Sequence, residues 1–123
     1  MADETALTHE EISALHRAKA ANPYYFRALI EAVGIMEVRR NKYSMGKHPY
    51  YNFSDVARRV DLSTLAIFDV YRAMKASRAG VSSGVDFADE SYKDSLIDDV
   101  NYSILKAGWV LAGLTDKEVL DGS

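Results

Sequence analysis

The chain has no cysteine in its 123 residues. That excludes disulfides, cysteine-ligated zinc and thiol catalysis, and it permits a reducing compartment. Proline occurs only twice, at Pro23 and Pro49, and the glycines are scattered, so little interrupts long helices. No apolar run approaches the roughly 20 residues of a membrane span, and Met1-Ala-Asp-Glu-Thr5 lacks the basic-then-apolar order of a signal peptide. A cytoplasmic protein without a membrane partner is expected. Positive charge is not in surplus: 15 Lys and Arg face 18 Asp and Glu, and the net of −3 gives no footprint for duplex nucleic acid. Strand-like alternation, internal repeats, low-complexity segments, a glycine-rich phosphate loop and a Ser/His/Asp arrangement are all missing.

What is present is helical patterning in a chain long enough to enclose one core. Apolar residues at 48% and charged residues at 27% are ordinary for a soluble domain, so residues 1–123 are read as a single one, with 1–7 frayed. Thr8-His-Glu-Glu11 is a capping-box pattern that opens a helix over His9 to about Ala20. Asn22-Pro23 supplies a cap and a first-turn proline for a second helix to about Arg40, with Phe26, Leu29, Ile30, Val33 and Met36 at helical spacing. Asn41 to Tyr51 reads as an extended loop, because Gly46 permits positive φ and Pro49 stops a helix. Asn52-Phe53-Ser54-Asp55 opens a short third helix. Leu62-Ser63 caps a fourth, Thr64 to Ser77, and a small-residue loop follows over Ala79 to Asp86. The fifth runs from Glu90 to about Leu114, and Thr115-Asp-Lys-Glu118 starts a short terminal helix. The fold class expected is all-α, a helical bundle of four to five helices.

The candidate chemistry lies on the fifth helix. Glu90, Asp94 and Asp98 recur every four residues and stack along one side, where they repel one another unless water, a cation or a basic group intervenes. Leu96, Ile97, Val100, Ile104, Ala107, Gly108 and Leu111 form an apolar stripe expected to face the core, which puts the acids on its shoulder. A carboxylate there is partly desolvated and needs a metal or a basic partner. Asp99 points elsewhere and is expected to be solvated. The plainer alternative is that acids early in a helix answer its dipole and hold nothing. On the second helix Glu37 borders the buried stripe, whereas Glu31 does not share that face.

Pairing the second and fifth helices would bring Glu37 towards Asp94 and Asp98. An oxygen-only, cysteine-free set suits a hard cation, Mg²⁺ or Mn²⁺. Lys42, Lys47, Lys75 and Arg78 could then face phosphate oxygens, and Tyr43, Tyr50 or Tyr51 could stack on a base. The alternative for the loop is a solvated connector whose tyrosines pack on the domain. The histidines, His9, His16 and His48, form no metal site by spacing.

The order Lys42-Tyr43…Gly46, Asn52-Phe53…Val56-Ala57, Phe68-Asp69-Val70…Met74-Lys75-Ala76-Ser77-Arg78 and Asp94-Ser-Leu-Ile-Asp98-Asp-Val-Asn101-Tyr102 resembles the small helical nucleotide-modification-associated domains of phages and prophages. That family is in turn similar to the all-α nucleoside triphosphate pyrophosphohydrolases of the MazG and dimeric dUTPase kind, which use acids from two helices to hold Mg²⁺ and release pyrophosphate. The resemblance covers about residues 36–111. It implies that Asp94 and Asp98 are metal ligands with Glu90 as a third, and that Lys75 and Arg78 contact phosphates or organise the acids. It further implies that Tyr43 and Asn52 line the nucleotide pocket, that Tyr102 supports the acid helix, and that a phage-encoded protein would work in the host cytoplasm. The chain departs from the pyrophosphohydrolases on its second helix, where Glu31 and Glu37 replace a Glu-x-x-Glu pair, and in the loop, where Tyr43-Ser-Met-Gly46 interrupts a Tyr-Gly step.

Three readings follow. The first is a Mg²⁺-dependent nucleotide pyrophosphohydrolase-like enzyme acting on a (deoxy)nucleoside triphosphate, with Glu37, Asp94 and Asp98 as its working acids. The second is a non-catalytic protein that binds or sequesters nucleotides or nucleotide signals. The third is an interaction module whose acids are surface charge. Long apolar helices and too few acids for a full site in one bundle also predict a homodimer or tetramer with its pocket near the interface.

Overall fold

The computed structural model describes residues 5–43, 47–82 and 90–122, without the side chains of 40–43, 79–82, 90 and 91. Six helices appear in this order: α1 (His9–Ala21), α2 (Pro23–Tyr43), α3 (Tyr51–Arg59), α4 (Thr64–Ser82), α5 (Glu90–Ala112) and α6 (Asp116–Asp121). No strand occurs among the described residues, and the protein is all-α. Two helices run further than their sequence signals suggested. α2 continues past Arg40 to Tyr43 because no proline or glycine intervenes before Gly46. α4 continues past Ser77 to Ser82, since a lone Gly80 costs a helix only about 1 kcal/mol. The part of the expected loop from Ala79 to Ser82 is therefore helical, and its residues 83–86 lie outside the described residues.

The chain forms two compact units, Met1–Glu31 and Ala32–Ser123, with the boundary inside α2. In the first, the capping box of α1 closes as its sequence specifies. The Glu11 N–H donates to Thr8 Oγ1 at 3.1 Å, and the Thr8 N–H donates to Glu11 Oε1 at 2.8 Å. Asn22 Oδ1 then accepts from the Tyr25 N–H at 3.0 Å, starting α2. No residue of α1 is buried.

The second unit is built on α4 packed along α5, with α3 against α4 and α6. Its core is Phe68, Trp109 and Val119, surrounded by Tyr50, Phe53, Leu65, Tyr102, Leu105 and Leu114. The rings meet edge to face: Tyr50 on Trp109 at 5.3 Å, Tyr50 on Phe68 at 5.8 Å and Phe53 on Tyr102 at 6.3 Å. Helix ends are closed by left-handed residues. Gly113 (φ 65) lets the Leu114 N–H return to the Trp109 carbonyl, and Asp61 (φ 58) lets the Leu62 N–H reach the Ala57 carbonyl. Asp116 of α6 accepts from the Thr64 N–H at 3.2 Å and from the Thr64 hydroxyl, which also meets Ser54 Oγ at 2.7 Å. A carboxylate at the start of α4 is favoured by that helix's dipole, so this contact ties α3, α4 and α6 together.

Most of the stripe on α5 expected to face the core does not do so, although Ile97 and Gly108 are partly buried and Gly108 lies against Tyr50. Leu96, Val100, Ile104 and Leu111 are exposed, Leu111 by 87%. The buried face of α5 instead carries Ser95, Asp98, Asn101 and Trp109, with Tyr102 and Leu105 partly buried beside them. Hydropathy alone cannot tell an apolar face turned inward from one turned outward. Here the inward side combines Trp109 in the core with the ion pairs of Asp98 and the hydrogen bond of Asn101.

Candidate functional site

Asp98 sits at the centre of that inward face, its side chain only 4% exposed. A carboxylate so far from water must be compensated. Two cations do this. Arg39 Nη2, from the last turns of α2, stands 2.7 Å from Asp98 Oδ1, and Lys75 Nζ, from α4, stands 3.0 Å from Oδ2. The cations are more accessible than the acid, 38% for Arg39 and 22% for Lys75. Both therefore bridge a buried anion to solvent. One turn along α5, the buried Asn101 donates through Nδ2 to the Ala32 carbonyl at 3.1 Å, which fixes the α2 backbone beside the acid. Burial pushes the Tyr102 phenol above its usual range, and the Asp98 charge adds to this while Arg39 opposes it.

Next to this knot, Arg72 of α4 faces Asp99 of α5, with Nε 3.6 Å from Oδ1. Arg72 and Lys75 are three residues apart on α4 and so present neighbouring cations to the α5 acids. Asp69 joins the row by accepting from Lys106 Nζ at 2.7 Å.

Three buried atoms in this region have no hydrogen-bond partner among the described residues: Asp98 Oδ1, Asp99 Oδ1 and Arg72 Nε. Asp98 Oδ1 is close enough to Arg39 for an ion pair, but the contact does not have hydrogen-bond geometry. Orphaned buried polar atoms are uncommon in folded proteins, and several together call for water, an ion or a ligand. Two carboxylate oxygens can receive a hard cation, and a guanidinium N–H can donate to a phosphate oxygen.

The sequence-predicted residues divide accordingly. Asp98 and Lys75 come together, and Arg39, which the sequence reading passed over, completes the group. Asp94, Glu37 and Arg78 are exposed. Asn52, partly buried in α3, has a bonding partner of its own. The side chains of Lys42, Tyr43 and Glu90 lie outside the described residues. Asp99, expected to be solvated, is only 32% exposed and faces Arg72. Tyr50 is not free to stack on a base, because its ring is in the core and its hydroxyl donates to the Leu105 carbonyl at 2.7 Å. Tyr51 lies under Lys47, whose Nζ is 4.1 Å from the ring centre. Arg39 lies seven residues after Ala32, hence on the same side of α2, but that this side is buried shows only in the fold, where Ala32 is fully buried.

Among the described residues no group of three or more His, Asp or Glu side chains gathers as a ready metal centre. None of the described helices is long and apolar enough to cross a membrane. Comparison with protein-family models, with curated proteins and with solved structures finds no match for this chain.

Proposed function

We propose that the Arg39–Asp98–Lys75 cluster receives the phosphate end of a (deoxy)nucleoside triphosphate, and that the chain is a Mg²⁺-dependent pyrophosphohydrolase-like protein of MazG-like type. The observation that carries this reading is the buried Asp98 carboxylate between two half-accessible cations, with orphaned polar atoms on both Asp98 and the neighbouring Arg72–Asp99 pair. Arg39, Lys75 and Arg72 supply donors for phosphate oxygens. Asp98, with Asp99 beside it in sequence, offers carboxylate oxygens to a divalent ion. Mg²⁺ needs no more than one or two protein carboxylates when water and substrate phosphate complete its shell. Bound there, the ion would polarise the phosphoanhydride for attack by water.

The residues fit an ion that arrives with its nucleotide better than one bound beforehand. In the free protein the cluster counts two cations to one carboxylate, and Mg²⁺ alone would have to displace them without compensation. A triphosphate gives Arg39 and Lys75 new partners as it delivers the ion. One observation favours the second reading, a binder that sequesters nucleotides without turnover: Glu37 and Asp94 are exposed, whereas Asp98 is buried. Pyrophosphate release from a panel of deoxynucleoside and nucleoside triphosphates separates the two. Release that disappears in Asp98→Asn supports hydrolysis. Saturable binding with no release supports sequestration.

A further inference from the structure

The seam between α4 and α5 carries a second ion pair beside the buried Asp98. Arg72 Nε stands 3.6 Å from Asp99 Oδ1, and neither atom, though buried, has a hydrogen-bond partner among the described residues. The other acid in reach, Asp69, accepts from Lys106 Nζ at 2.7 Å, and Arg72 Nη1 stays 4.0 Å from that same oxygen. Arg72 is thus flanked by two carboxylates and sits beyond hydrogen-bond distance of both. A buried donor and a buried acceptor left unmet side by side call for a group that accepts from one and binds the other. A phosphoryl group carrying a divalent ion does both. Its oxygen takes the guanidinium N–H, and the ion takes the carboxylate.

We propose that Arg72 and Asp99 form a second phosphoryl subsite, next to the one at Arg39, Asp98 and Lys75, and that the protein thereby selects anions with at least two linked phosphates over a single phosphate. The inference rests on the reading of the Asp98 cluster as a phosphate site. Spacing and depth support it. Arg72 and Lys75 lie three residues apart on α4, which puts their Cβ atoms about 5–6 Å apart. From there two long side chains reach successive phosphoryl groups of one chain. The Asp98 side chain is 4% exposed and that of Asp99 32%, while Lys75 is 22% exposed and Arg72 42%. The Asp98 subsite is therefore the deeper and takes the end of the phosphate chain. The Arg72 subsite takes the phosphoryl group nearer solvent, on the side where the rest of a larger ligand extends.

Isothermal titration calorimetry of the full chain in MgCl₂, with inorganic phosphate and with pyrophosphate, reads the two subsites separately. Pyrophosphate is expected to bind more tightly. Arg72→Met lowers the pyrophosphate affinity about tenfold or more and the phosphate affinity less than about threefold, so the ratio of the two falls. Arg72→Lys keeps the charge but removes the buried Nε donor, and its ratio falls in between. Lys75→Met weakens both probes alike. If the wild-type protein binds neither probe, or Lys75→Met changes neither affinity, the reading of the Asp98 cluster fails and the second subsite with it. If Lys75→Met weakens both probes but the Arg72 variants leave the ratio unchanged, that reading stands. The second subsite is then overturned, and a water molecule alone bridges Arg72 and Asp99.

Discussion

The Asp98 carboxylate and the Lys75 ammonium meet at 3.0 Å across α5 and α4, with the acid almost fully buried and the base partly in water. The asymmetry sets the order of mutational costs. Lys75→Met or Arg39→Met leaves Asp98 one remaining partner, and each is expected to cost about 1–2 kcal/mol, reduced by the solvent the cations already see. The double variant leaves a buried charge alone and costs more than the two singles together, about 4 kcal/mol or more. Asp98→Asn falls between, because the freed cations can turn outward. Urea unfolding of the four proteins measures the coupling, and simple additivity would mean that the cluster does not act as a unit.

Gly108 gives Tyr50 its place. A Cβ at position 108 would stand 2.6 Å from Tyr50 Oη, whose ring is held by Phe68 and Trp109. Gly108→Ala is expected to destabilise by about 1–3 kcal/mol through overpacking, even though alanine is the better helix former. Tyr50→Phe alone loses the bond to the Leu105 carbonyl, about 1 kcal/mol. Combining them removes both the clash and the unmet donor, so the double variant is more stable than Gly108→Ala alone. Equal stabilities would show that the close approach is not limiting.

Burial raises the phenol pKa of Tyr50 and of Tyr102 above the usual value near 10. For a neutral acid with a raised folded-state pKa, the folded state keeps its proton after the unfolded chain has lost it. The stabilising contribution is therefore whole below about pH 10 and is lost as pH climbs through the folded-state values. Alkaline unfolding should start just above pH 10, with the ultraviolet phenolate signal of these two tyrosines appearing only with unfolding. The Tyr50→Phe/Tyr102→Phe variant should show a shallower alkaline limb. An unchanged limb would place these phenols outside the unfolding event.

Much of the architecture was legible in the chain. Thr8-x-x-Glu11, Asn22-Pro23 and Thr115 each start the helix their side chains specify, because capping is local chemistry. The inward face of α5 was not legible. Leu96, Val100, Ile104 and Leu111 carry the strongest apolar signal on that helix, yet Ser95, Asp98 and Asn101 are buried in their place. That face meets Arg39, Lys75 and the Ala32 carbonyl as well as the core around Trp109, and these are distant in sequence and come together only in the fold. The same long-range pairing explains Asp99, which spacing alone assigns to solvent and Arg72 draws into the row. Asp98 was legible as a candidate because its four-residue spacing from Asp94 is local. Of its partners, Lys75 was named through the family resemblance, and Arg39 was not.

The most direct test is the shift in thermal midpoint when the protein meets MgCl₂ alone, a deoxynucleoside triphosphate with chelator, and the two together. At a hundred times the dissociation constant a bound ligand adds about 2.7 kcal/mol to stability, a shift of several degrees for a domain of this size. The account predicts little change with Mg²⁺ alone, a clear rise with Mg²⁺ and a triphosphate, and loss of that rise in Asp98→Asn and in Lys75→Met, each measured against its own unliganded midpoint. No rise across the full panel of triphosphates, or a rise that both variants retain, would contradict it.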